Sequence, residues 1–183
     1  MSTRRSFAPR VGLGLLTATL LSFPSDGGTG TATQTLNAAI NPGYALTAPA
    51  SASLTHSQNT FQAFQASLAV NYEVRTSPTG SGKITLQVTN DFAPAGGPSA
   101  TTGVLTYTCG AANLGSPCSG TQTASTTAQT PLLTVPASAC TGGGGACSSQ
   151  DPNSVNLTFT LIDNPSYATG SYSATITFTI SAT

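Results

Sequence analysis

The sequence predicts an all-β protein, an immunoglobulin-like antiparallel β-sandwich of about seven to nine strands. Several segments alternate apolar and polar residues with a period of two, and turn-forming residues separate them. Ser and Thr together make up about 30% of the chain, and threonine favours strands because its branched side chain fits a pleated surface. Each sheet therefore has one apolar side, and two sheets packed face to face would bury both.

The first 25 residues are typical of a secretory signal peptide. Arg4, Arg5 and Arg10 precede the apolar run Val11–Phe23, which is too short for a stable membrane span. We expect cleavage between positions 25 and 33, which leaves residues 26–183 as a single β-sandwich domain. No later segment is long and apolar enough to be a transmembrane helix. The expected location is the periplasm, the cell surface or the extracellular space.

The strand pattern begins at Ala32–Ile40, where Leu36, Ala38 and Ile40 share one face. A weaker extended stretch, interrupted by Pro49, follows from Tyr44. The strongest alternation runs from Phe64 to Val74 and resumes from Ile84 to Phe92 after the turn sequence SPTGSG. This pair predicts a β-hairpin.

The second half of the chain contains four further strand patterns. They are Leu105–Cys109, the segment PLLTVPA, Val155–Leu161 and Tyr172–Ile180. PLLTVPA has a proline near each end, which predicts an edge strand. The closing strand is long and regular, so we expect it to lie inside its own sheet. Tyr72, Tyr107 and Tyr172 fall on apolar faces and are predicted core residues.

Charged side chains are scarce. Once the leader is removed, Arg75 and Lys83 are the remaining basic residues, and the acidic ones are Asp26, Glu73, Asp91, Asp151 and Asp163. Binding to nucleic acid requires clustered Lys and Arg to neutralise phosphates. The mildly acidic balance therefore excludes nucleic acid as an expected partner.

Four cysteines follow the leader, and an even number in an exported chain predicts two disulfides. The local pairs Cys109–Cys118 and Cys140–Cys147 are favoured because each would close a short loop. The nested arrangement, Cys109–Cys147 with Cys118–Cys140, is the alternative. No Cys-x-x-Cys motif is present, so the sequence does not predict a zinc site.

Candidate catalytic and metal-binding residues are few. His56 is the single histidine, and because no Gly-x-Ser-x-Gly elbow occurs we expect it to be a solvated loop residue. Glu73 and Asp91 are the pair to consider for glycosidase chemistry, which needs two carboxyl groups about 5–10 Å apart. Asp151 and Asn153 could bind calcium weakly, although turn formation is the expected role of these residues and of Asp163 and Asn164.

Two tyrosines lie outside the predicted core. Tyr44 and Tyr167 are the candidate ligand contacts if the protein is a carbohydrate-binding module, since sugars stack on exposed aromatic rings. This hypothesis predicts a polysaccharide as the partner.

The ending VNLTFTLIDNPSYATGSYSATITFTISAT contains a strand, a Tyr-x-x-Gly turn and a closing Tyr-x-Ala-x-x-x-Phe-x-Ile strand. It resembles the end of secreted bacterial immunoglobulin-like surface domains, especially WxL-type cell-wall proteins and spore-coat-U or fimbrial-subunit-like proteins. Phe178-Thr179-Ile180 occupies the place of the Trp-x-Leu pair of the WxL family. The resemblance implies a cell-surface or appendage role without catalysis.

The sequence as a whole thus predicts an exported structural or adhesive protein, a pilus- or coat-type subunit that is not an enzyme and needs no cofactor. Its expected partners are like subunits or other cell-surface proteins. Assembly would use β-augmentation, in which a strand of one molecule pairs with an exposed sheet edge of another. Ala32–Ile40 is the predicted donor, because it alternates and follows a flexible leader.

Overall fold

The computed structural model describes residues 34–39, 41–56, 61–137, 139 and 152–182. These residues form nine β-strands and one short 3-10 turn, Ala100–Thr102. The strands are β1 (Gly43–Thr47), β2 (Phe64–Arg75), β3 (Gly82–Ala93), β4 (Leu105–Ala112), β5 (Ser116–Pro117), β6 (Gln122–Thr123), β7 (Thr130–Val135), β8 (Asn153–Leu161) and β9 (Ser173–Ala182). The predicted signal peptide lies outside the described residues.

The strands form two antiparallel sheets, which confirms the predicted sandwich. The first sheet has the order β1-β2-β8-β4-β6, and the second has the order β5-β7-β3-β9. Both sheets belong to one compact unit, Ala39–Thr183. Among the described residues there is no helix that is long and apolar enough to cross a bilayer.

The predicted hairpin of β2 and β3 is wrong, because the two strands lie in different sheets. Thr76 holds the chain where it crosses between the sheets. Its buried hydroxyl donates to the Pro136 carbonyl (3.1 Å) and accepts from the Ala139 amide (3.0 Å). At Gly82 an added Cβ would approach a Val74 methyl to 3.2 Å, so glycine permits close packing at this crossing.

The core consists of the inward residues of the long strands. Tyr72 and Tyr107 are buried as predicted. The Tyr107 hydroxyl donates to the Pro131 carbonyl (2.7 Å), so its polar end is satisfied. Tyr172 is not a core residue: it precedes β9, is half-buried, and donates from its hydroxyl to the Ala168 carbonyl (2.7 Å). Its ring lies against Gly97, where an added Cβ would overlap it.

Hydroxyl side chains cover the outward faces of the sheets. Thr158 on β8 lies between Ser67 on β2 and Thr108 on β4, and the Ser67 and Thr158 hydroxyl oxygens are 3.1 Å apart. On the second sheet the Thr89 and Thr177 hydroxyl oxygens are 3.0 Å apart. Cross-strand hydroxyl pairs of this kind stabilise a sheet without ionic groups.

Candidate functional site

The outer edge of β9 is the longest unpaired strand edge in the described part of the chain. β9 has ten residues and is the last strand of its sheet, with β3 as its neighbour on one side. It contains neither proline nor a charged residue, although these are the features with which proteins usually protect an edge. The closing strand thus belongs to its own sheet, as predicted, but lies at the edge rather than inside.

The other edges of the sandwich are short. β1 has five residues, and β5 and β6 have two each. PLLTVPA forms β7, whose outer side is covered by β5 alone, so the predicted edge position is close to the observed one. Short edge strands offer few free hydrogen-bonding groups. The length of β9 therefore distinguishes its edge from the other three.

The inward face of β9 is incompletely covered. Its apolar residues are all half-buried and pack against the core: Ala174, Ile176, Phe178, Ile180 and Ala182. By contrast, the residues of β3 that lie opposite three of them are fully buried: Ile84, Leu86 and Val88. β1 runs close to β9, and its Leu46 is also half-buried against the core. The core is thus incompletely covered beside β9, where an edge strand of each sheet lies close to the other.

The predicted strand Ala32–Ile40 is not a strand where it is described. Residues 34–39 have no regular secondary structure and are exposed, and Leu36 is 90% exposed. Alternation of apolar and polar residues is not enough to form a strand, because a strand also needs a partner whose backbone hydrogen-bonding groups are free. Residues 34–39 therefore have the residue pattern of a strand but do not belong to a sheet.

Arg75 holds the backbone just after this segment. Its Nε and Nη2 atoms donate to the Asn41 carbonyl at 2.9 and 2.5 Å. The predicted hairpin would have placed Lys83 on the strand next to Glu73 and Arg75. β2 and β3 are in different sheets, so this arrangement does not occur. No sequence signal indicated the contact with Asn41.

The two candidate sugar-binding tyrosines lie at opposite ends of the sandwich. Tyr44 is 59% exposed and pairs with Val74 near the end of β2. Tyr167 follows β8, whose last residue, Leu161, pairs with Phe64 at the start of β2. Ten residues of strand separate Phe64 from Val74, a distance of about 33 Å. One short glycan could not contact both rings.

Glu73 and Asp91 are also far apart. Glu73 is near the end of β2, close to where the chain crosses to Gly82, and Asp91 is nine residues further along β3. That separation is about 30 Å along the strand, well beyond the reach of a glycosidase pair. Asp91 instead accepts hydrogen bonds from Ser99 Oγ (2.5 Å) and the Ala100 amide (2.7 Å). It therefore anchors the 3-10 turn.

His56 is exposed and packs edge-on against the Phe64 ring, with the ring centroids 4.6 Å apart. It lines a shallow cavity of about 550 Å³ together with Thr55, Gln62, Ala63 and Gln65. Among the described residues of this lining there is no serine and no carboxylate, so they form no nucleophile-base pair.

The calcium candidates are not assembled in the described residues. Asp151 lies outside them, and Asn153 is a buried strand residue at the start of β8 rather than a turn residue. Asn164 does form a turn, because its side-chain oxygen accepts from the Ser166 amide (2.9 Å). Nowhere in the described ranges do three or more His, Cys, Asp or Glu residues come together as metal ligands.

The disulfide Cys109–Cys118 confirms one predicted local pair and excludes the nested arrangement. The two Cα atoms are 5.4 Å apart. Cys109 is on β4 in the first sheet, whereas the Cys118 amide donates to the Leu132 carbonyl on β7 in the second (2.8 Å). The bond thus links the two sheets. Cys140 and Cys147 lie outside the described residues.

No protein-family model, curated protein or solved structure matches this chain.

Proposed function

We propose that this protein is an exported structural subunit, of the surface or pilus type, that assembles with other copies by β-strand addition. The observation on which the proposal depends is the edge of β9, ten residues long, unprotected and half-covered on its apolar side. A strand from another molecule would continue the second sheet and cover the core beside β9. The proposed donor is Ala32–Ile40 of a neighbouring copy.

The chemistry of the donor segment supports this assignment. Leu36, Ala38 and Ile40 alternate with Asn37 and Ala39. Paired with β9, the segment would turn the leucine side toward the core beside Ile176 and Phe178, with Asn37 toward solvent. Leu36 is exposed to solvent in the single chain, which is energetically unfavourable for an apolar side chain, and such pairing would bury it.

Export is the second part of the proposal. It is supported by the N-terminal arginines followed by the apolar run Val11–Phe23. The disulfide Cys109–Cys118 is consistent with it, because disulfides persist in oxidising compartments. The resemblance of the closing segment to fimbrial-subunit-like proteins implies the same kind of role. Copies of this chain or other cell-surface proteins are the proposed partners.

The test is the mass in solution of the chain from residue 26 onward, measured by sedimentation at several concentrations. Two matched variants, Leu36→Asp and Asn37→Asp, add the same charge on opposite sides of the donor. We expect the wild type and Asn37→Asp to form oligomers. Leu36→Asp should remain monomeric, because burying a leucine contributes about 1.5–3 kcal/mol and an unpaired buried carboxylate is costly.

Two results would contradict the proposal. One is a wild type that stays monomeric at every concentration. The other is equal behaviour of the two variants, since strand addition requires the two sides of the donor to differ.

A further inference from the structure

We infer that Arg75 is a positioning residue for assembly: its hydrogen bonds to the Asn41 carbonyl restrain the junction that follows the donor segment. The inference rests on the proposed function, in which the residues just before Asn41 pair with β9 of another copy. Two guanidinium nitrogens, Nε and Nη2, donate to this one oxygen at 2.9 and 2.5 Å. Charged donors on a carbonyl make stronger hydrogen bonds than neutral ones.

Arg75 is well placed for this role. It is the last residue of β2 and pairs with Gly43, the first residue of β1. An added Cβ at Gly43 would lie 3.8 Å from Arg75 Nη2, so the guanidinium lies directly over the start of β1. The contact therefore ties the junction before β1 to β2, a strand held on both sides by β1 and β8.

The junction is restrained in two further ways. Pro42 fixes its own φ angle and biases Asn41 toward an extended conformation. Gly43 is then held by strand pairing. With the Asn41 carbonyl bound as well, three consecutive residues have little freedom. A donor that leaves from a fixed base has less entropy to lose when it pairs with a neighbour.

The experiment compares Arg75→Ala and Arg75→Lys with Lys83→Ala, all in the chain from residue 26 onward. Lys83 is the other basic residue of that chain and is exposed on β3. Each variant is measured for self-assembly by sedimentation. Each is also combined with Leu36→Asp, which prevents self-assembly, and measured for binding of a synthetic peptide of residues Ala32–Ile40. The first measurement needs both donor and acceptor, whereas the second reports the β9 edge alone. Thermal melting of each monomer serves as a check on folding.

We expect Arg75→Ala to assemble about 5–30-fold more weakly, the factor for releasing one restrained backbone residue. It should bind the peptide as the wild type does. Arg75→Lys keeps one charged donor, so its self-assembly should be weaker than that of the wild type and stronger than that of Arg75→Ala. Lys83→Ala should assemble as strongly as the wild type.

Wild-type assembly by Arg75→Ala would overturn the inference and leave the proposed function standing. Loss of peptide binding in Arg75→Ala would also overturn it, because the residue would then support the acceptor fold rather than the donor. A wild type that neither assembles nor binds the peptide would overturn both.

Discussion

At the scale of single residues, polar side chains fix the loops of this protein by bonding to the backbone. Asp91 is the clearest case, since Ser99 Oγ and the amides of Phe92 and Ala100 all donate to its carboxylate at 2.5–2.8 Å. Burial raises the pKa of Asp91, but these hydrogen bonds outweigh burial and lower it overall. Thr76 and Arg75 act in the opposite direction and donate to backbone carbonyls.

The lowered pKa of Asp91 predicts an acid-sensitive contribution to stability. A carboxylate whose pKa is lowered by folding stabilises the fold at pH values above its ordinary pKa, here 3.8. This contribution is lost as the pH falls through the pKa of the folded state. Asp91→Asn should therefore lower the free energy of unfolding by about 1 kcal/mol at pH 7. The loss is small because solvent partly screens the carboxylate. Urea unfolding at pH 7 and pH 3 would test this. A difference from wild type that is equally large at pH 3 would contradict the carboxylate's role.

At the scale of elements, alternation identified most of the strands but not their partners. The patterns at Phe64–Val74, Ile84–Phe92 and Val155–Leu161 correspond to β2, β3 and β8. An apolar face looks the same whether two strands pair in one sheet or face each other across the core. For that reason the prediction of a β2–β3 hairpin was wrong. The edge position of β9 and the contact of Arg75 with Asn41 could not be predicted either. Both depend on which distant segments meet.

The disulfide Cys109–Cys118 is an element-scale constraint, because it joins β4 to the chain beside β7. Replacing both cysteines by alanine should lower the free energy of unfolding by about 2–3 kcal/mol, the chain-entropy value for a loop of this length. Denaturant unfolding of the variant and the oxidised wild type would measure the loss. A loss below about 0.5 kcal/mol would mean that strand pairing holds β4 and β7 in place without help from the disulfide.

At the scale of the whole molecule, the part of the sandwich that the structure describes has one long open edge and three short ones. A single copy therefore exposes backbone groups along β9 and leaves the apolar side chains of this strand half-covered. A ligand that completes the sheet should stabilise the whole fold, since it would bind the native state and not the unfolded chain.

This stabilisation can be measured with the Leu36→Asp chain, which keeps its acceptor edge, and the peptide of residues Ala32–Ile40. At one hundred times its Kd the peptide should add about 2.7 kcal/mol and raise the Tm by about 5–10 °C for a domain of this size. A peptide with the Leu36→Asp change serves as the control. An equal shift with both peptides would contradict insertion at β9.

The scarcity of basic residues has a consequence for resistance to proteolysis. Trypsin-like proteases cut after Lys or Arg, and from residue 26 onward the chain offers Arg75 and Lys83 alone. Arg75 ends a strand that lies between β1 and β8, and Lys83 lies in a strand between β7 and β9. Cleavage requires the backbone to leave its sheet, so digestion would follow the population of the opened state. The folded protein should consequently persist where such proteases are abundant.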